Sequence, residues 1–177
     1  MAKSFLPPAM RPEPSYAEMV RSIERDGGLD DYSATLVRDA AKGVRAAQSE
    51  ATCYALLLAE RPDHELEALT GAEVFARLAA EHGEPNDLLR LAAVLMKRAG
   101  GLRDTEIDRA RGFAVEAFCL LERLWEAEQT EVVLDAAACL CASDEDSDAI
   151  LFDAAIAGLK PATATAIRNH VKSGGKK

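Results

Sequence analysis

Aromatic residues make up only 5% of this 177-residue chain, with a single tryptophan, Trp125. Val and Ile together number 14, against 34 Ala and 21 Leu. Sheets are filled by β-branched and aromatic side chains, whereas Ala and Leu propagate helices, so this imbalance argues against strands and for an all-α fold. Basic residues are also in deficit: 21 Lys and Arg face 30 Asp and Glu, a net charge of −9. A nucleic-acid binder needs a basic surface to displace counterions from phosphates. Here the only basic cluster is the short tail from Lys172 to Lys177. The balance argues against direct nucleic-acid binding and against docking on an anionic membrane, and it suits a basic protein partner. Apolar runs of the roughly 18–20 residues a membrane span requires are missing. Met1 to Pro14 lacks the apolar stretch of a signal peptide, so a cytoplasmic protein is expected.

Glycine-rich phosphate loops are missing too. The pairs Gly27-Gly28, Gly100-Gly101 and Gly174-Gly175 each follow a predicted helix and read as stops. Cysteines are four: Cys53, Cys119, Cys139 and Cys141. Their neighbours are mainly Ala, Leu and Phe, and their spacing is not that of a secreted disulfide scaffold. They read as small core residues in a reducing compartment.

What is present is 49% apolar and 29% charged. That composition folds, and the length suffices to bury a core without disulfides or metals. Pro7, Pro8, Pro12 and Pro14 make residues 1–14 an extended arm. Residues 15–172 are expected to form a single all-α domain, and residues 173–177 a flexible tail. Ser15 with Glu18 forms a capping box for a helix reaching about Arg25. A second helix is expected to start near Asp31 or Ser33, with Leu36, Val37, Ala40, Ala41 and Val44 as its apolar stripe. The pattern continues to Ala59. A break is expected near Gln48-Ser49, because Ser49 can cap and Gly43 weakens the middle.

Thr70 with Glu73 is a second capping box, opening a helix with Val74, Phe75, Leu78 and Ala79 on its inner side and a stop at Gly83. Pro85 fits a first helical turn. From Asn86 to Ala99 the pattern is apolar nearly all round, as in a helix sandwiched between neighbours. Left uncovered, that helix would offer a homodimer interface. Gly100-Gly101 is expected to end it. Thr105 to Ala127 is the longest expected helix, with Ile107, Ala110, Ala114, Ala117, Phe118, Leu121, Leu124 and Trp125 at three- and four-residue steps. Thr130 opens another, Ser147 caps one from about Asp148 to Leu159, and Pro161 begins one reaching about Val171. The sum is eight or nine helices in stacked antiparallel hairpins, either α-solenoid-like or an irregular bundle.

Two stretches are alike, Ala79 to Ala92 and Glu126 to Ala136: each joins a helix end, a polar turn and a new apolar helix. Matching Ala92 with Ala136 gives a period of 44 residues, long enough for a helical hairpin. Over about residues 70–142 the chain resembles Sel1-like and tetratricopeptide-type helical repeats. Ala79-Ala80-Glu81-His82-Gly83 is similar to the Sel1 turn, and Asp108-Arg109-Ala110, followed by Ala114, looks like the start of a second repeat helix. The chain departs from the family at Thr130, where Gly is expected, and lacks the Tyr and Gly of the first repeat helix. The resemblance implies an α-solenoid that binds other proteins, with no catalytic residue.

Candidate chemistry is sparse. Asp144-Glu145-Asp146-Ser147-Asp148 begins like a calcium loop, but the required Gly and Glu positions hold Ala149 and Ala155. Cys139-Leu140-Cys141 has no second Cys or His pair at zinc-site spacing. His64, His82 and His170 lie far apart at expected helix ends or loops, where a dipole interaction accounts for them. A Cys–His nucleophile, such as Cys53 with His82, is possible in principle but has no local signature. Arg90 and Lys97, seven residues apart, share a helix face that can line a partner groove. Phe5 and Leu6, beside Pro7-Pro8, can dock on a partner. No catalytic, cofactor-binding or metal-binding residue is assigned. The expected function is a non-enzymatic protein–protein interaction module, an adaptor or chaperone-like subunit. The alternative is an acidic inhibitor or immunity-type protein blocking a nucleic-acid-binding partner, and a helical enzyme with an unrecognised residue set is the third reading.

Overall fold

A computed structural model describes residues 29–60, 65–140 and 146–173. Among them are eight helices and no strand, the all-α class that the Ala and Leu content requires. The arm with Phe5 and Leu6, the helix expected from Ser15, His64, Cys141 and the last four residues lie outside the described residues. The described chain falls into two compact units divided between Asp87 and Leu88.

The first unit holds α1 (Leu29–Ala41), α2 (Arg45–Leu58), α3 (Glu65–Ala80) and the start of α4 (Pro85–Leu102). α2 packs against both α1 and α3. Leu36, Ala40, Ala47 and Ala51 form a buried cluster, with Tyr54 and Phe75 laid against it. Ala72, Ala76 and Ala79 line the inner side of α3, small enough to let a neighbouring helix approach closely.

The break in the second expected helix is real but falls at Lys42–Val44, not at Gln48-Ser49. Gly43 takes φ +86°, its N–H donates to the Ala40 carbonyl (3.0 Å), and the Val44 N–H donates to the Asp39 carbonyl (3.1 Å). These two bonds are a Schellman turn, and the left-handed residue it needs is the glycine. Ser49 lies inside α2. The Thr70–Glu73 capping box likewise opens nothing: α3 already begins at Glu65, and Leu69, buried, precedes Thr70 within it. Five residues of upstream helix leave no orphan N–H for Thr70 to cap. Val74, expected inside, is 52% exposed, because the buried stripe follows Ala72, Ala76 and Ala79.

The second unit holds the rest of α4, α5 (Ile107–Glu126), α6 (Thr130–Leu140), α7 (Asp146–Ala157) and α8 (Pro161–Lys172). α5 packs against α6 and α7, and α6 against α8, with chain neighbours antiparallel. In α4, Leu88, Leu89, Leu91, Ala92, Val94, Leu95 and Ala99 are all buried, as a helix apolar on every side requires. Gly100-Gly101 does not end α4, which runs to Leu102. Neither glycine has positive φ. Each costs about 1 kcal/mol of helix propensity relative to Ala, and the helix runs through both.

α5 carries Ala110, Ala114, Ala117, Phe118, Leu121 and Leu124 on its buried side, following the spacing read from the sequence, but the two ends of the expected stripe depart from it: Ile107, in the first turn, is exposed and Trp125, in the last, is half-buried. Its turn into α6 repeats the α1–α2 turn bond for bond. The Glu128 N–H donates to the Trp125 carbonyl and the Gln129 N–H to the Leu124 carbonyl, both at 3.0 Å. The left-handed residue here is Glu128, φ 63°. α7 begins two residues before Asp148. α8 begins at Pro161 as expected, and the Lys160 N–H just ahead of it donates to the Glu122 carboxylate at 2.7 Å. No helix among the described residues is long and apolar enough to cross a membrane.

Candidate functional site

The most concentrated polar chemistry lies within the first unit, on the side of α2 that meets the α3–α4 turn. Three of its members, Gln48, Thr52 and Asp87, are buried. Gly83, φ +77°, bends the turn, and Pro85 starts α4, which places Asp87 in the first turn of that helix. There the free N–H groups and the helix dipole favour a carboxylate. Asp87 is fully buried and accepts from Arg45 Nε at 2.8 Å and from the Ser49 hydroxyl. The bond and charge of Asp87 hold the Arg45 guanidinium's pKa above its ordinary value.

Gln48 extends the network. Its Nε2 donates to the Ala40 carbonyl at 3.1 Å, near the end of α1, and Thr52 Oγ1 donates to the Gln48 carbonyl at 2.9 Å. A carbonyl only accepts, so the Gln48 amide nitrogen must face Ala40 and its Oε1 must face His82 Nε2, 3.1 Å away. His82 therefore carries its proton on Nε2. The histidine and serine do not meet as base and nucleophile: Ser49 gives its proton to Asp87, and the imidazole is tied to an amide. What this arrangement does chemically is satisfy buried polar groups while tying α1, α2 and the α3–α4 turn together.

Sequence analysis does not single out Asp87. Its partners lie 42 and 38 residues away, and no local pattern joins them.

The predicted partner-binding residues Arg90 and Lys97 both lie on α4, half-buried, and each is engaged by an interaction within the chain. Sequence reasoning passed over their neighbour Arg98. It is buried, with its guanidinium 5.2 Å from the Phe113 ring centre, while Arg109 lies 5.8 Å from the same ring. Phe113 thus meets two cations. The Arg109–Phe113 half of this was visible as an i,i+4 pair.

Of the cysteines, Cys53 is buried and Cys139 partly so, but Cys119 is exposed on α5, contrary to the core assignment. Its helix face is a polar one, beside Glu116 and Glu122. Desolvation of the thiol first, then the charges of Glu122 and Glu116, push its pKa up, so it is a poor nucleophile. The Cys53–His82 combination is not assembled at Nε2, which is occupied by Gln48. His170, in the last turn of α8, has Nε2 3.7 Å from Asp135 Oδ1. Phe118 is fully buried and meets Phe152 edge-to-face at 6.0 Å, a core contact. No three His, Cys, Asp or Glu side chains among the described residues group as a metal site would need.

Comparison of the chain with protein-family models, with curated proteins and with solved structures finds no match.

Proposed function

We propose that the protein is a non-enzymatic interaction module, an adaptor or chaperone-like subunit built from helical hairpins of the Sel1-like or tetratricopeptide type. The observation that carries this reading is the recurrence of a left-handed turn residue at Gly43, Gly83 and Glu128, 40 and 45 residues apart. Those intervals bracket the 44-residue sequence period, whose matched residues Ala92 and Ala136 are both buried. In the second unit, the packing of α5 on α7 and of α6 on α8 fits the same reading, because a stacked hairpin contacts its counterpart in the next repeat. Such repeats act by presenting a surface to another protein. A cytoplasmic setting belongs to the same reading, in which Cys53, buried, and Cys139, half-buried, act as small packing residues.

Capture of the tagged protein's partners from lysate of its own organism, eluted with salt, tests the proposal. A stoichiometric protein partner is expected. Recovery of no partner, together with turnover of a small molecule by the purified chain, would overturn it.

A second reading, the acidic inhibitor, draws on Glu128, Glu131 and Asp135, all exposed at the α5–α6 turn and along α6. It requires the captured partner to be a nucleic-acid enzyme whose activity falls on binding. Charge reversal at Glu128 and Asp135 should then raise the dissociation constant at least tenfold. An unchanged constant would leave the adaptor reading alone.

A further inference from the structure

We draw no further inference here: the strongest candidate, the corner where α1 meets α2 with Val37, Val44 and Arg38 exposed on it, carries nothing because nothing in the structure shows what covers it.

Discussion

Among the described residues, Glu128 alone is held in a conformation that its side chain resists. Glu128 occupies the turn position that Gly43 occupies after α1, and a left-handed backbone costs an L-residue about 1–2 kcal/mol. Part of that gain on substitution is returned as glycine's larger unfolded-state entropy. Glu128→Gly should therefore stabilise the protein by about 0.5–1 kcal/mol, and Gly43→Ala should destabilise it by about 1 kcal/mol, both read from urea midpoints. At Asp87 the expectation is asymmetric. Arg45→Ala removes a charged partner from a carboxylate that stays fully buried, and should be the costlier change. Asp87→Asn frees an arginine that is already 44% exposed and can rehydrate, so it should cost less, about 1–3 kcal/mol. The reverse order in denaturation would show that the pair does not hold α4 to α2. Cys119 gives a pH expectation. Its folded pKa is raised, so the neutral thiol is the form the fold favours. That contribution is complete below the ordinary thiol value and is lost as pH climbs through the raised one. At pH 8 its alkylation should run slower than that of a free cysteine despite its exposure, and equal rates would contradict the shift.

Among the elements, those written by one regular pattern were legible and those decided by distant packing were not. α5 repeats apolar residues at helical steps, and from Ala110 to Leu124 its buried side follows them. Pro161 marked the start of α8 because its missing N–H suits a first turn. Thr70 with Glu73 has the form of a capping box, yet the helix was already under way, since a local box says nothing about the residues packed upstream of it. Gly100-Gly101 has the form of a stop, yet positive φ was never demanded there. The polar cluster was the least readable part, because Arg45, Ser49 and Asp87 meet only after a turn that Gly83 sets. Two other glycines separate propensity from packing. Gly112 lies exposed inside α5, where a Cβ would meet nothing, so Gly112→Ala should stabilise by about 0.5–1 kcal/mol. Gly158 lies just past the end of α7, where helix propensity offers no gain, and an added Cβ would stand 3.3 Å from Val115 Cγ1, so Gly158→Ala should destabilise. Calorimetry on the two variants decides it.

For the molecule as a whole, acidic charge and an alanine-rich interior set the expectations. A net charge of −9 repels itself, so moderate salt should raise the melting temperature, and a fall would point to ion pairs outweighing repulsion. Helicity should survive EDTA, and its loss would reveal a metal the proposal does not include. The tie made by Gln48 also has a consequence for experiment. Its carboxamide bonds a carbonyl eight residues before it and an imidazole 34 residues after it, and the side chain is buried. One isotope label on that amide would therefore act as a reporter. Its protons should exchange with solvent slowly while both neighbours are in place, and quickly once either the end of α1 or the α3–α4 turn opens.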